Sequence, residues 1–309
     1  MAGTVVGVPA SKRLEVDIDG RVLSLSNLTK VMYPRSGFTK GQVVDYYTRI
    51  APAVLPHLRG HPLTLKRYPD GVEGEYFYEK NCPRHRPDWV PTTPVRLSSK
   101  TVDFCLAEDL PTLVWLAQIG DLELHTSLAK AADVRRPTIL AFDLDPGPPA
   151  TIVECARVAL DLRAIFDHLG MQAFAKTSGS KGMQVYVPLN VPDVTYDDTK
   201  PFAQGLAQLL ERRHPDLVVS DMKKALRTGK VLVDWSQNDE HKTTVSVYSL
   251  RARERPTVST PLRWEEVEAV TRSEDPDDLV FTSDDVLARV AEHGDLFAPV
   301  AVLEQPLPR

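Results

Sequence analysis

The stretch ILAFDLDPG, residues 139–147, places two aspartates, Asp143 and Asp145, at the end of a short apolar run. Such a run is typical of a buried β-strand, on which alternate residues face the same side. We therefore expect both aspartates on one face and Leu144 in the core. Carboxylates about 7 Å apart on a rigid strand repel each other unless a cation lies between them, and hard divalent cations prefer oxygen ligands. A strand-end pair that only forms turn hydrogen bonds is the alternative, because Asp-Pro-Gly is also a turn sequence.

A second run of the same kind, KVLVDWSQN at residues 230–238, ends in a third carboxylate, Asp234. Between the two runs, TSGSKG at residues 177–182 joins two predicted strands. Its glycines allow backbone N–H groups to approach an anion, and Lys181 adds positive charge. The turn is not a Walker A loop, because GxxxxGK[ST] is missing and a strand follows it. An ordinary surface hairpin is the alternative.

Two further side chains are candidates for contact with a phosphate. Arg251 ends the predicted strand TTVSVYSLR and could bind a phosphate through two parallel hydrogen bonds. A surface arginine after a strand is the alternative. His125 lies in LELHTS, where it alternates with leucines, and that pattern is also typical of a core histidine whose hydrogen bonds are satisfied.

The order of predicted elements mixes helices with antiparallel strand pairs, which excludes a Rossmann pattern. A hairpin is predicted around Asp19–Gly20, a helix from the N-cap Thr39 to His57, and a buried helix beginning at Pro111. Two strands meet near Asp70–Gly71. A long helix ends at Gly170, and another helix is expected at about 200–213.

The charge distribution fits a polyanionic partner better than the net charge of −5 suggests. Residues 1–100 contain 15 Lys and Arg against 9 Asp and Glu, so the N-terminal part is basic and can contact phosphates. The three cysteines, Cys82, Cys105 and Cys155, are scattered and support neither a disulfide framework nor a zinc site. No apolar run approaches the roughly 20 residues that span a bilayer, and the N-terminus has no signal-peptide pattern. A cytoplasmic, nucleoid-associated protein with no membrane partner is therefore expected.

Taken together, these motifs resemble the polymerase domain of bacterial end-joining ligase D, a member of the archaeo-eukaryotic primase superfamily. The resemblance covers residues 14–295. In the C-terminal part it rests on His125 and on FDLDPG (142–147), TSGSKG (177–182), LRTGKVLVDWSQN (226–238) and YSLR (248–251). In the N-terminal part it rests on SNLTKVMYP (26–34), TKGQVVDYYTRIAPAVLPHLRGHP (39–62), LKRYPDGVEGEYFYEKN (65–81) and PDWV (87–90).

The resemblance implies an α+β, or mixed α/β, primase-polymerase fold with two largely antiparallel sheets and flanking helices. We expect a disordered tail at 1–13, a single catalytic domain at 14–295 and a second tail at 296–309. Within the domain, the basic part is expected at 14–130 and the part that binds metal and nucleotide at 131–295. No ligase or nuclease segment is recognised, so a free-standing member of the family is expected.

The resemblance also assigns roles to individual residues. The implied metal ligands, for two Mg²⁺ or Mn²⁺ ions, are Asp143, Asp145 and Asp234. The implied nucleotide-binding residues are Lys66, Phe77, Tyr78, His125, Ser178, Gly179, Lys181, Arg227, Gln237 and Arg251. The residues implied to bind the 5′-phosphate of a downstream DNA strand are Asn27, Lys30 and Lys40.

Three departures from the family pattern limit these assignments. Gln184 stands where the family commonly has a histidine, and glutamine cannot act as a cation or a general acid. Tyr78 replaces a more usual phenylalanine and keeps the stacking face. The segment TSLAKAADVRRPTILAF, residues 126–142, looks shorter than in ligase-fused members, where it includes a loop that contacts DNA ends.

We therefore expect a template-directed nucleotidyltransferase that adds nucleotides, by resemblance ribonucleotides, to primers in gapped or broken DNA. Its implied partners are DNA with a 5′-phosphate, NTP or dNTP, and a separate ligase and end-binding protein. Two alternatives remain: a DNA-end-binding module that recruits a ligase, and a metal-dependent phosphohydrolase. Three converging carboxylates favour the polymerase, because a pure binding module does not need them.

Overall fold

The computed structural model describes residues 13–97 and 100–308. The predicted disordered tail at 1–13 therefore lies outside the described residues, except for Arg13, which begins the first strand. Among the helices of the described ranges, none combines the length and apolar character required to cross a membrane.

The fold is α+β, which confirms the predicted class. The strands are β1 (Arg13–Ile18), β2 (Arg21–Ser26), β3 (Val31–Tyr33), β4 (Phe38–Thr39), β5 (Leu63–Arg67), β6 (Phe77–Glu79), β7 (Thr92–Arg96), β8 (Thr101–Cys105), β9 (Asp121–Thr126), β10 (Ile139–Pro146), β11 (Phe174–Thr177), β12 (Met183–Pro188), β13 (Val218–Val219), β14 (Val231–Asp234), β15 (Thr244–Val245) and β16 (Pro261–Leu262). The α-helices are α1 (Lys40–Leu58), α2 (Leu110–Gln118), α3 (Ile152–His168), α4 (Tyr196–Arg213), α5 (Trp264–Ser273), α6 (Ser283–His293) and α7 (Ala298–Val302).

Two six-stranded sheets form the centre of the molecule. The N-terminal sheet has the order β15, β9, β5, β8, β7, with β6 also paired to β5, and all its pairs are antiparallel. The C-terminal sheet has the order β13, β14, β10, β12, β11, β16, and only β13 and β14 are parallel. Two largely antiparallel sheets are therefore confirmed.

Local sequence signals explain where several elements begin and end. Asp19 and Gly20 have φ values of 51° and 77°, which suit the two-residue turn between β1 and β2. The Thr39 side chain accepts a hydrogen bond from the Gln42 amide and forms a capping box at the start of α1. Helix α4 starts earlier than predicted, because Thr195 and Asp198 form another capping box.

Helix α1 connects the N-terminal sheet to the segment that follows β15. Two buried tyrosines on this helix make the connection: the Tyr46 hydroxyl donates to the Tyr248 carbonyl oxygen, and the Tyr47 hydroxyl donates to the Leu122 carbonyl oxygen. The Tyr47 hydroxyl also accepts a hydrogen bond from the Leu250 amide. Because Tyr248 has a φ of 63°, the predicted strand at 243–251 is regular only at β15.

Two sequence expectations are corrected by the structure. Cys82 and Cys105 form a disulfide with a Cα–Cα distance of 4.9 Å, although their spacing in the sequence gave no signal. The Cys82 amide donates to the Asp103 carbonyl oxygen, so the irregular segment after β6 lies against β8. The predicted tail at 296–309 contains α7, with Phe297 and Val300 buried in the core.

We predict that His61 limits the stability of the fold in acid. Burial lowers the pKa of His61 from 6.5 to about 4, so between these values the unfolded chain binds a proton that the folded chain does not. The free energy of unfolding is therefore lost as pH falls from 6.5 towards 4, by roughly 3 kcal/mol in total. His61→Gln, which does not titrate, is expected to flatten this decline in urea titrations at pH 4.5, 5.5 and 7. The exposed His85, replaced by Gln, is the control, and an unchanged slope in His61→Gln would contradict the prediction.

Candidate functional site

The three predicted carboxylates meet on neighbouring strands of the C-terminal sheet. Asp143 on β10 pairs directly with Asp234 on β14, and Asp145 lies two residues further along β10. Leu144 between them is buried, as the alternation of a strand requires. Asp145 is exposed and Asp143 half-buried, whereas Asp234 is only 9% exposed.

On the other side of Asp143, the next two strands of the sheet also carry polar residues in register with it. Gln184 on β12 pairs with Asp143, and Lys176 on β11 pairs with Gln184. We call Asp234, Asp143, Gln184 and Lys176 the cross-strand row. The Gln184 side-chain Nε2 donates to Asp143 Oδ1 at 3.1 Å, and Lys176 Nζ donates to Gln184 Oε1.

Lys176 was not singled out from the sequence, yet it fixes the orientation of Gln184. Its side chain is 0% exposed, and Nζ also donates to the Val245 carbonyl oxygen and to Ser259 Oγ. Burial lowers the pKa of Lys176 to about 7, and the Asp143 carboxylate opposes that shift. Because Lys176 donates to the amide oxygen, the amide nitrogen of Gln184 faces Asp143. Gln184 thus donates a hydrogen bond to the carboxylate.

The electrostatics of the three carboxylates indicate whether a cation would be stabilised beside them. Desolvation by the surrounding protein and the Asp145 charge raise the pKa of Asp143 to about 7, and partial desolvation and the Asp234 charge raise the pKa of Asp145. The donors are hard oxygen atoms that suit divalent cations. A bound cation would relieve the repulsion, so the donor set fits a hard metal ion.

The carboxylates are not assembled into a closed coordination shell. In the ranges that the structure describes, no group of three His, Cys, Asp or Glu side chains is arranged to hold a metal ion. Both oxygens of Asp234 are engaged within its own turn: Oδ1 accepts from the Ser236 amide and hydroxyl, and Oδ2 accepts from Gln237 Nε2 at 2.7 Å.

An open cleft of about 220 Å³ lies beside Asp143 and Asp145. Its lining brings together a large part of the predicted nucleotide-binding set. The predicted residues that line it are His125, Asp143, Asp145, Ser178, Lys181, Gln237 and Arg251. Lys181 is exposed, so its ammonium group is available to an anion in the cleft.

The glycine-rich turn at 177–182 forms one side of the cleft. Ser178 Oγ accepts hydrogen bonds from the Ser180 and Gly182 amides, both at 3.2 Å. Both N–H groups are therefore satisfied by the Ser178 hydroxyl oxygen, and the hydroxyl hydrogen of Ser178 is the group that can donate to an anion. Gly179 has a φ of 67°, and a side chain there would lie 2.6 Å from the Ser259 amide nitrogen, so only glycine fits. Gly179 itself lines a neighbouring groove rather than the cleft.

Glu123 on β9 is a functional candidate that the sequence reading missed. Its carboxylate is 2% exposed and contacts three of the predicted nucleotide-binding side chains. Oε2 lies 3.2 Å from Lys66 Nζ, 3.0 Å from His125 Nε2 and 3.3 Å from Arg251 Nε. We call these four residues the Glu123 cluster. The position of Glu123 two residues before His125 on one strand was the signal that could have revealed it.

The aromatic residues next to this cluster lie on two faces of the β5–β6 pair. Tyr78 pairs with Lys66 and Phe77 with Arg67. Lys66 Nζ lies 5.5 Å from the Tyr78 ring and 4.8 Å from the Tyr76 ring. Phe77 packs instead against the Arg67 guanidinium at 5.1 Å. Tyr76, which the sequence reading did not single out, therefore shares the face of Tyr78.

Arg227 is placed next to the carboxylates but does not line the cleft. It ends a 3₁₀ turn, where Nη2 donates to the Met222 carbonyl oxygen at 2.6 Å. Its charge opposes the rise in the pKa of Asp145.

The predicted 5′-phosphate residues form a separate group at the start of α1. Pairing of β3 with β4 brings Lys30 and Lys40 together, and the Lys40 amide donates to the Lys30 carbonyl oxygen at 2.8 Å. The Asn27 carbonyl oxygen accepts from the Lys30 amide. Burial and the Lys30 charge lower the pKa of Lys40 to about 8. Lys30 Nζ is paired with Asp70 Oδ1 at 2.6 Å.

Comparisons with a family model and with known proteins agree that this chain is similar to LigD. The family model described as LigD, primase-polymerase domain, matches residues 39–297. The multifunctional non-homologous end joining protein LigD of Mycolicibacterium smegmatis is 40% identical over 89% of this chain. The bifunctional LigD of Bacillus subtilis is 31% identical over 88% of the chain. The chain spans 36% and 43% of the length of these two relatives, respectively.

A solved structure shows the same similarity in three dimensions. The polymerase domain from Mycobacterium tuberculosis ligase D, in complex with DNA, superposes with a TM-score of 0.84 at 37% sequence identity. The match covers 92% of this chain and 99% of that domain.

We predict that Gln184→Leu destabilises the protein more than Gln237→Leu does. Loss of the buried Gln184 amide leaves Asp143 without its donor and Lys176 without one acceptor, which costs about 1–3 kcal/mol. Gln237 is less buried and contributes a single side-chain hydrogen bond to Asp234, so its loss is expected to cost about 1 kcal/mol. Urea unfolding at pH 7 measures both. Equal losses would show that the cross-strand row does not depend on Gln184.

Proposed function

This chain belongs to the family of LigD primase-polymerase domains, which are nucleotidyltransferases, and from that premise we propose that it adds nucleotides, by preference ribonucleotides, to primer ends in gapped or broken DNA. The single observation that carries the proposal is the position of Asp143 and Asp145 on the same cleft as Ser178, Lys181 and Arg251. Carboxylates beside phosphate-binding groups are what phosphoryl transfer requires.

In this proposal Asp143, Asp145 and Asp234 hold two Mg²⁺ or Mn²⁺ ions. Bound there, the ions would lower the pKa of the primer 3′-hydroxyl and stabilise the charge that develops on the leaving pyrophosphate. The protein orients this ligand set through hydrogen bonds, since Gln184 donates to Asp143 and Gln237 donates to Asp234.

The cleft residues are proposed to bind the incoming nucleotide. The glycine-rich turn offers the Ser178 hydroxyl and Lys181 to the triphosphate. His125 and Arg251 line the same cleft. Tyr78 offers a face on which the base stacks, and such stacking is worth about 1–3 kcal/mol and tolerates any base. Lys66, next to Tyr78, is proposed to contact the sugar.

The basic group at the start of α1 is proposed to bind the 5′-phosphate of a downstream strand. Lys30 and Lys40 are adjacent like charges, and they lie at the start of α1, where the helix dipole has its positive end. A phosphate there would relieve the repulsion between the two lysines. Asn27 is proposed to complete the group.

The similar proteins extend the proposal from a reaction to a DNA-repair process. The similar solved structure is a complex with DNA, and the similar full-length proteins are named as end-joining proteins. We propose that this domain serves end joining together with a DNA ligase and an end-binding protein, in the cytoplasm at the nucleoid. The short segment at 126–142 makes gap filling a better fit than the bridging of two broken ends.

A double variant, Asp143→Ala with Asp145→Ala, tests polymerisation. On a labelled primer-template with a 5′-phosphorylated gap, Mn²⁺ and NTPs, we expect the wild type to extend the primer and the variant to be at least about 1000-fold slower, because several kcal/mol of charge stabilisation are lost. Asp193→Ala with Asp216→Ala removes two exposed carboxylates elsewhere and should extend normally. Wild-type binding without extension would favour an end-binding module instead, and NTP hydrolysis without primer would favour a phosphohydrolase.

A second double variant, Lys30→Ala with Lys40→Ala, tests the 5′-phosphate group. We expect it to lose the preference for a phosphorylated gap, by about tenfold or more in apparent affinity, while extension of an open primer is retained. Lys100→Ala with Arg212→Ala removes the same charge at distant exposed sites and controls for net charge. Equal losses on both substrates would contradict the assignment.

A further inference from the structure

We propose that Glu123 is a positioning residue for the triphosphate: it holds Lys66, His125 and Arg251 in place by serving as their common counter-ion. This inference deepens the proposed function and rests on it. Glu123 is not among the site residues predicted from the sequence, and in the structure it does not line the cleft.

The partners of Glu123 come from separate parts of the chain. Lys66 is on β5, His125 is on β9, and Arg251 follows β15. The other carboxylate oxygen, Oε1, accepts from the Ala252 amide at 3.0 Å. One buried carboxylate therefore joins the N-terminal sheet to the segment that runs between the sheets.

Arg251 extends this connection to the glycine-rich turn. Its Nη1 donates to the Ser178 carbonyl oxygen, while its Nε faces Glu123. A displacement of Glu123 would therefore change the position of the Arg251 guanidinium relative to the turn that is proposed to bind phosphate. Bidentate binding of a phosphate depends on that guanidinium geometry.

The charge state of Glu123 supports this assignment. Although burial opposes ionisation, the pKa of Glu123 lies well below its ordinary value, because His125, Arg251 and Lys66 stabilise the carboxylate. Without it, the Lys66 and Arg251 charges would repel each other in a poorly solvated site. The carboxylate also fixes the imidazole tautomer: an ionised carboxylate only accepts hydrogen bonds, so His125 Nε2 carries the proton.

A glutamine at this position cannot replace the carboxylate. Three groups donate hydrogen bonds to the two oxygens: the Lys66 and His125 side chains and the Ala252 amide. The fourth partner, Arg251, makes an ion pair, with its Nε 3.3 Å from Oε2. The amide NH₂ of Glu123→Gln would face one of these donors and leave it unsatisfied. Glu123→Gln therefore both removes the counter-ion and disturbs the positions of the surrounding basic side chains.

Two effects of Glu123→Gln on phosphate binding have opposite signs. Loss of a negative charge beside the cleft would by itself strengthen binding of an anion. Loss of positioning would weaken it. If Glu123 is a positioning residue the second effect prevails, and we expect the affinity for inorganic tripolyphosphate to fall by about 10- to 100-fold.

Asp121→Asn provides a matched control. Asp121 is also a buried carboxyl on β9, two residues before Glu123. Within the described part of the chain neither of its side-chain oxygens has a hydrogen-bond partner, and burial raises its pKa well above the ordinary value. Because Asp121 forms no hydrogen bond with the side chains that Glu123 contacts, Asp121→Asn should leave tripolyphosphate affinity within about twofold.

The experiment measures tripolyphosphate binding by isothermal titration calorimetry and the titration of His125 by NMR, assigned with His125→Gln. We expect Glu123→Gln to bind tripolyphosphate 10- to 100-fold more weakly and to have a lower His125 pKa, because the carboxylate raises that pKa. In gap filling, KM for the nucleotide should rise more than kcat falls.

The inference is overturned if Glu123→Gln binds tripolyphosphate as tightly as the wild type or more tightly, or if Asp121→Asn loses as much affinity. If Glu123→Gln does not fold, Glu123→Asp withdraws the carboxylate by about one bond length. A loss of at least about fivefold is then expected, and unchanged affinity overturns the proposal. Because the calorimetry and NMR need no DNA, failure of primer extension by the wild type would reject the proposed function without deciding this point.

Discussion

The pairing of Asp143 with Asp234 across two neighbouring strands is the constraint on which the candidate site depends. It places acids from separate parts of the chain at the same level of the C-terminal sheet. The cross-strand row continues through Gln184 to Lys176, so a buried lysine and an amide support one side of the carboxylates. A one-residue slip of any of these strands would move its polar side chain to the opposite face.

A second set of contacts joins the two sheets. The segment between β15 and β16 carries Arg251 and is held on one side by the tyrosines of α1 and on the other by Lys176, which donates to Ser259 Oγ. Glu123 contacts the end of the same segment through Arg251 and the Ala252 amide. Groups that are proposed to bind the triphosphate therefore come from both sheets, and their geometry depends on how the sheets pack.

Much of the local structure was predictable, because the signals are short-range. The Asp19–Gly20 hairpin and the N-cap Thr39 were each read from a few adjacent residues. The disulfide and helix α7 were not predicted, because both depend on distant partners: Cys82 meets Cys105 only when the segment after β6 lies against β8.

The predicted division into a basic and a metal-binding part remains a prediction, although Ala141 and Tyr186 of the second part are buried in the same core as the first.

The sequence by itself determined that Asp143 and Asp145 share a face, because side chains alternate along any strand. It also determined the family, through the order of its motifs. Only the tertiary structure decided that Lys176 supports Gln184 beside Asp143, and that Glu123 is the counter-ion of three basic side chains. The physical reason is that strand register and sheet packing bring together residues that are distant in the chain, and no local periodicity encodes those contacts.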